Sequence, residues 1–184
     1  ISTGSGSDTI FAGAGADIIK SGSGADRIDL SEYVLSRDTV MLDAPSTDLG
    51  FDTIYGFAQG ALGDVFDVSS ILTSVFELFP LVISGSAPTA NFSEGVLTLA
   101  GSGVSSVTDL SAAFEMAGSL ETLSMTNDST ALIISADSQV TGEDHFIFSA
   151  ESSDGEISVT HLATLIGNNL DIDQWHTDNF ILIA

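Results

Sequence analysis

The sequence contains no cysteine and almost no basic residues. Its 184 residues include three lysines and arginines against 26 acids, for a formal net charge of -23. The basic residues are Lys20, Arg27 and Arg37, so the chain after position 37 has no lysine or arginine. Without cysteine, disulfides and thiolate metal sites are excluded. The charge argues against nucleic-acid partners and against an anionic membrane surface, because the chain cannot neutralise phosphates.

Long apolar runs and catalytic motifs are also missing. No run reaches the roughly 18 to 20 apolar residues of a membrane-spanning helix, so we expect no membrane insertion. The sequence has no Gly-Lys-Ser/Thr phosphate loop, no His-Glu-x-x-His and no Gly-x-Ser-x-Gly, and we expect no enzymatic activity. A hydrophobic fraction of 43% with eleven phenylalanines nevertheless predicts a packed core rather than a disordered acidic tail.

The N-terminal region repeats with a period of nine residues. Residues 3–29 read TGSGSDTIF, AGAGADIIK and SGSGADRID, with glycine at the second and fourth places and aspartate at the sixth. Ile1 fits the eighth place of a block, so we expect the chain to begin inside a repeat of a longer protein. The repeated glycines and aspartates are Gly4, Gly6, Asp8, Gly13, Gly15, Asp17, Gly22, Gly24 and Asp26.

This period suits strands better than a helix. Nine residues turn a helix by about 900°, which puts successive isoleucines on opposite sides. A strand of about three residues followed by a glycine-rich turn instead makes half of a coil of about 18 residues in a parallel solenoid. Blocks one and three then share an edge, which brings Asp8 near Asp26. Asp17 lacks an obvious partner, because Leu35 stands where the next aspartate is due.

Carboxylates in a turn crowded with backbone carbonyls form an oxygen-rich cage that suits calcium. We therefore predict that the nine repeated glycines and aspartates form the metal sites. The expected number is one complete site, from Asp8 with Asp26, and at least one partial site at Asp17.

The repeats resemble the G-G-x-G-x-D-x-U-x nonapeptide of the calcium-binding β-roll, and the chain is similar to the RTX family of exported bacterial proteins. The resemblance is sharpest over residues 1–29 and departs at the first place, where Thr3, Ala12 and Ser21 replace glycine. A degenerate Arg-Asp-Thr-Val places Asp38 three residues late. The resemblance implies Ca²⁺ as the bound ion and a secreted or cell-surface location in a Gram-negative bacterium.

We predict a mainly β fold in two parts. A short calcium-binding parallel β-roll occupies residues 1–43, and a β-rich capping domain with two or three short helices occupies residues 44–184. The segment 51–72 resembles the one that follows the repeats in exported RTX proteins. We expect it to close the end of the roll with strands near 53–57 and 64–68.

Later segments give weaker signals. The runs LVISG, GVLTLA, ALIISA and HFIFSA predict strands, whereas residues 69–79 and 108–118 predict helices. Trp175 is expected in the core. The last residues, DNFILIA, are similar to the C-terminal signal that type I secretion machinery reads in this family.

Two functions follow from the resemblance. In the first, the chain is the non-catalytic calcium-binding C-terminal module of an S-layer- or adhesin-like protein that folds on extracellular calcium. Its partners are then calcium ions, the type I secretion machinery and other copies of itself or other surface proteins. In the alternative, it is the export and folding module of a secreted protease or lipase, whose catalytic domain lies outside this chain. The Ser/Thr-rich, nearly lysine-free composition favours the first.

Overall fold

The computed structural model describes residues 1–43, 50–71, 89–93, 96–100, 129–136, 144–154, 156–167, 170–171 and 174–181. Within these residues the chain is mainly β, as predicted, with a 3-10 helix at Thr177–Asn179. The strands are β1 (Ser2–Ser5), β2 (Thr9–Phe11), β3 (Ile18–Ser23), β4 (Arg27–Asp29), β5 (Thr39–Met41), β6 (Asp52–Tyr55), β7 (Val65–Asp67), β8 (Thr89–Ser93), β9 (Val96–Ala100), β10 (Ser129–Ala136), β11 (His145–Ser153), β12 (Glu156–Ile166) and β13 (Phe180–Ile181).

The first seven strands alternate between two sheets. One sheet has the order β1-β3-β5-β7-β13, and the other has the order β2-β4-β6-β12-β11-β10-β9-β8. From β1 to β7 every pairing is parallel and joins a strand to the one two places earlier. This is the parallel roll that the nine-residue period predicts, because each repeat supplies one strand to alternate sheets.

Two ladders of apolar side chains fill the roll. In the first sheet Ile19 pairs with Val40, Val40 with Phe66, and Phe66 with Phe180. The second sheet stacks Ile10, Ile28, Ile54 and Leu165 in the same way. All these side chains are at most 8% exposed and belong to one core cluster. Burial of this continuous core is the main favourable contribution to the fold.

The parallel pairing continues beyond residue 43. β6 pairs with β4, and β7 pairs with β5, in the register of the earlier coils. Strands are therefore present close to the positions expected for the closing segment, and they extend both sheets of the roll. The division at residues 43 and 44 stays a prediction, since residues 44–49 lie outside the described part of the chain.

Later strands extend both sheets of the roll. β12 adds to β6 in parallel, β11 and β10 follow antiparallel, and β13 adds to β7. The predicted strands in GVLTLA, ALIISA and HFIFSA are β9, β10 and β11. The run LVISG and the two predicted helices lie outside the described residues, apart from positions 69–71, which form a turn. No helix in the described part is long and apolar enough to cross a membrane.

Trp175 packs against the core, as predicted. Its ring centroid lies 5.6 Å from that of Phe57 and 5.4 Å from that of Phe180. Its indole Nε1 donates a hydrogen bond to Nδ1 of His145 at 3.1 Å, and His145 is only 1% exposed. The indole therefore needs the unprotonated Nδ1 of a neutral histidine.

The hydrogen bond between Trp175 and His145 makes the stability of the fold sensitive to acid. Burial lowers the pKa of His145 from 6.5 to about 4, although the charges of Asp171 and Asp144 act in the opposite direction. The stability that neutral His145 contributes is complete above pH 6.5 and is lost as the pH falls towards 4. At constant calcium, we expect wild type to lose roughly 2 kcal/mol more than His145→Asn across this window, measured by urea unfolding.

Asparagine retains an acceptor for Trp175 but cannot gain a proton in this range, so the comparison cancels the titration of other groups. The exposed His176, changed to asparagine, is the control and should follow wild type. If the free energy of unfolding of wild type and of His145→Asn depended on pH in the same way, His145 would not be the source of the acid sensitivity.

Candidate metal centre

Three aspartates form a row along one edge of the roll, here called the first-edge row: Asp8, Asp26 and Asp52. The main-chain N–H of Asp8 donates to Oδ1 of Asp26 at 2.8 Å, and the N–H of Asp26 donates to Oδ1 of Asp52 at 3.1 Å. The first step spans 18 residues and the second 26. The structure thus brings Asp8 and Asp26 together one coil apart, and it adds Asp52, which was expected only to close the roll.

The second-edge row consists of Asp17, Asp38 and Asp64. The N–H of Asp17 donates to Oδ1 of Asp38 at 2.9 Å, and the N–H of Asp38 donates to Oδ1 of Asp64 at 2.9 Å. The expectation that Asp17 has no obvious partner is wrong. Asp38 is that partner, 21 residues later, because the loop before β5 absorbs the additional residues while Ile19 and Val40 stay in register.

The predicted glycines precede these aspartates, Gly4 and Gly22 near the ends of β1 and β3 and the other four in the turns. Their φ angles are positive in every case: Gly4, Gly6, Gly13, Gly15, Gly22 and Gly24. A Cβ on Gly22 would lie 1.9 Å from the carbonyl oxygen of Gly4, and one on Gly24 would lie 2.2 Å from that of Gly6. Glycine is therefore required where the second coil of this edge stacks on the first, against the backbone carbonyls of Gly4 and Gly6.

Two buried carboxylate oxygens have no hydrogen-bond donor. They are Oδ2 of Asp26 and Oδ2 of Asp38, and no described residue reaches either of them. Asp26 is 2% exposed and Asp38 is fully buried. A charged oxygen in such a place is costly unless something positive approaches it. The two orphan carboxylate oxygens therefore fit a bound cation.

Basic side chains do not supply that positive charge. Lys20 pairs with Asp43 at 3.6 Å, and Arg27 pairs with Asp29 at 3.3 Å. Arg37 donates to a backbone carbonyl near the C-terminus. Since these are the only lysines and arginines of the sequence, neither aspartate row has a basic side-chain partner.

The protein environment disfavours ionisation of Asp52 and Asp64, the last aspartate of each row. Burial raises the pKa of Asp52 to about 6, and the charge of Asp26 adds to this effect. Burial likewise raises the pKa of Asp64 to about 6, and the charge of Asp38 acts in the same direction while the hydrogen bond from its N–H acts against it. A divalent cation would reverse this balance, since an opposite charge nearby favours the ionised carboxylate.

Side chains alone do not complete a coordination shell. In the part of the chain that the structure describes, no three histidine, aspartate or glutamate side chains converge to hold an ion. An ion between the turns would therefore take a minority of its ligands from carboxylates and the rest from backbone carbonyls. Calcium, with six to eight oxygen ligands in flexible geometry, accepts such a donor set.

Ser21 was not predicted as part of the site. It stands at the first place of its block, and its hydroxyl donates to Oδ2 of Asp52 at 3.0 Å, while the hydroxyl of Thr3 donates to the carbonyl of Ser21 at 2.6 Å. The aspartates beyond the nonapeptides have a sequence signal, the triplet Asp-x-hydrophobic. It recurs at 38–40, 52–54 and 64–66.

A parallel roll with glycine turns, two aspartate rows and no basic partner defines a calcium-binding β-roll protein. Residues 1–32 match the family model of the RTX calcium-binding nonapeptide repeat in four copies. The predicted resemblance is confirmed for this region: residues 1–32 carry RTX repeats, and Ca²⁺ is the ion that these repeats bind. Neither the curated proteins nor the solved structures compared with the chain gave a match.

Proposed function

We propose that this chain is a non-catalytic module that folds on calcium in a secreted or cell-surface RTX protein of the S-layer or adhesin type. The observation that carries the proposal is the pair of orphan oxygens on Asp26 and Asp38, both buried and both without a donor. Without calcium the fold buries like charges. With calcium the same oxygens become ligands.

Calcium would act by linkage. The net charge of -23 and the glycine turns favour an expanded chain, because charge repulsion and backbone entropy both oppose compaction. Extracellular calcium sites have dissociation constants of about 10⁻⁴ to 10⁻³ M. When the calcium concentration is ten times the dissociation constant, one site adds only about 1.4 kcal/mol to the free energy of unfolding. The coil of Asp26 is hydrogen-bonded to the coils of both Asp8 and Asp52. An ion bound between one pair of coils therefore also orders the neighbouring pair, so several sites act together.

Exposed apolar side chains support an assembling protein over an enzyme's folding module. The consecutive residues Tyr33, Val34 and Leu35 are between 71% and 103% exposed. Clustered apolar exposure is typical of surfaces that meet another protein. Growth of particle size on adding calcium, measured by light scattering, would favour the structural protein. A calcium-loaded monomer at all concentrations would favour the export and folding module of a secreted protease or lipase.

The proposal includes export by type I secretion machinery, with the C-terminal tail as the signal. The supporting feature is the sequence DNFILIA. In the folded chain β13 pairs with β7, and Phe180 is only 8% exposed. The machinery would therefore read the tail before the roll folds, in surroundings where calcium is scarce.

A calcium titration followed by far-ultraviolet circular dichroism tests the proposal. Wild type should gain β signal with half-saturation near 10⁻⁴ to 10⁻³ M calcium. Asp26→Asn should need at least about tenfold more calcium, and it should be more stable than wild type without calcium, because a buried charge is removed. The double variant Asp8→Ala with Asp26→Ala should lose the transition.

The matched control is Glu151→Gln, which removes the same charge from an exposed position in β11. It should titrate like wild type. If Asp26→Asn and the double variant also titrate like wild type, the first-edge row does not bind the ion and the proposal fails.

A further inference from the structure

The two aspartate rows contain carboxylates of two kinds. Asp26 and Asp38, in the middle of each row, have one oxygen bonded to a main-chain N–H and a second oxygen without a donor. Asp52 and Asp64, here called the closing aspartates, stand at the end of each row and accept hydrogen bonds on both oxygens. All four residues are at most 8% exposed. The two kinds therefore differ in the donors that surround them, not in burial.

A serine of the preceding coil supplies the second donor to Asp52. Oδ1 of Asp52 accepts from the N–H of Asp26 at 3.1 Å, and Oδ2 accepts from the hydroxyl of Ser21 at 3.0 Å. Ser21 is only 2% exposed, and its carbonyl accepts from the hydroxyl of Thr3 at 2.6 Å. Ser21 occupies the first place of its block, where the nonapeptide pattern has glycine. The donor therefore comes from a position at which this chain departs from the repeat.

The main chain supplies both donors to Asp64. Its Oδ1 accepts from the N–H of Asp38 at 2.9 Å, and its Oδ2 accepts from the N–H of Ala58 at 2.8 Å. Ala58 lies in the loop that joins β6 to β7, and its carbonyl accepts from the N–H of Asp64 at 2.7 Å. This reciprocal pair holds the loop around the carboxylate, so the N–H of Ala58 is fixed in place.

A cation that approached a closing aspartate would meet a donor already in position. The hydroxyl of Ser21 or the N–H of Ala58 would have to give up its acceptor, and a donor left unpaired away from water is costly. The orphan oxygens of Asp26 and Asp38 carry no such cost, because no donor has to leave. The hydrogen bonds thus separate the carboxylates that an ion would stabilise from those that the protein already stabilises.

We propose that Asp52 and Asp64 are not calcium ligands, and that Ser21 and Ala58 close the last coil of each edge by hydrogen bonds alone. The inference rests on the proposed calcium-dependent roll and states where its ion sites end. Calcium would then bind at the middle aspartate of each row, and the last coil would dock on its neighbour without an ion.

Equilibrium dialysis of the full chain, freed of metal by a chelator, tests this inference by counting calcium ions bound per chain at saturation. Asp52→Asn keeps an acceptor for the N–H of Asp26, and its amide can donate to the hydroxyl of Ser21, so it removes the charge and retains both hydrogen bonds. We expect the wild-type number of ions. Asp26→Asn should lose one ion or bind it at least tenfold more weakly, and the exposed control Glu151→Gln should match wild type.

Ser21→Ala tests the hydrogen bond itself, because it leaves Oδ2 of Asp52 without a donor. We expect it to keep at least the wild-type number of ions, while its equilibrium constant for folding in saturating calcium, measured by urea unfolding, falls about tenfold. Ser23→Ala makes the same change at an exposed position of the same strand and should keep the wild-type constant.

Loss of an ion in Asp52→Asn would overturn the inference and leave the proposed function standing. Failure of this variant to reach the wild-type circular dichroism spectrum in saturating calcium would also overturn it, because hydrogen bonds alone would not close the coil. A wild-type folding constant for Ser21→Ala would do the same. If wild type binds no calcium, the proposed function itself fails, whereas Ser21→Ala still tests the closure.

Discussion

Gly22→Ala is expected to be among the most damaging single substitutions in the roll, with a loss of about 3 to 4 kcal/mol of stability in saturating calcium. The new methyl group would lie 1.9 Å from the carbonyl oxygen of Gly4, which is backbone and cannot move aside cheaply. Its φ of +92° adds strain for any L residue. The coils must separate to make room, so the variant should also need more calcium to fold. Urea unfolding with and without calcium measures both effects.

Gly4→Ala is the matched control. Gly4 has a φ of +117°, but a Cβ there meets nothing within 4 Å. It carries the backbone strain without the clash, and we expect a loss of only about 1 to 2 kcal/mol. The difference between the two variants isolates the stacking of one turn on the next. Equal losses would show that the turns do not approach as closely as the structure places them.

Asn179→Ala is expected to detach the C-terminal segment and to cost about 3 kcal/mol. Asn179 is fully buried, and its Nδ2 donates to the carbonyls of Gly60 at 3.0 Å and Asp64 at 2.8 Å. Its Oδ1 accepts from the N–H groups of Gly60 at 3.0 Å and His176 at 3.1 Å. Truncation leaves buried donors and acceptors unpaired on both sides. Urea unfolding and the fluorescence of Trp175, in the same segment, report the loss.

Asn179→Asp sharpens this test, because it keeps the shape and turns a donor into an acceptor that faces two carbonyls. It should cost at least as much as the alanine variant. The control is Gln174→Ala, at an exposed position of the same segment, which should change stability by less than about 0.5 kcal/mol. A loss below 1 kcal/mol for both Asn179 variants would mean that this amide does not join the tail to the roll.

The outline of the roll was predictable because its code is local and periodic. Each block carries its own strand and its own turn, so counting nine residues is enough to place Ile10 over Ile28 and Asp8 beside Asp26. The later strands β9, β10 and β11 were also found, since each is a compact apolar run. β12 was missed because threonine, histidine and alanine interrupt its apolar pattern.

Counting nine residues per repeat did not predict which aspartates face one another where the coils change length. The second-edge row takes a step of 21 residues and then one of 26, so the aspartate due at position 35 arrives at Asp38. The apolar ladder keeps its register through Val40 while the loop takes up the additional residues. Packing of the core, rather than spacing along the chain, therefore selects which aspartates face one another.

From sequence alone came a parallel roll, its first pair of aspartates and calcium as its ion, because nine-residue blocks specify their own strands and turns. Only the tertiary structure showed the contacts that do not follow from the nine-residue period. It paired Asp17 with Asp38, brought Glu32 against Gly15, and joined Asn179 to Asp64, 115 residues apart. These contacts depend on the paths that loops of unequal length take around one common core, and no local sequence pattern specifies those paths.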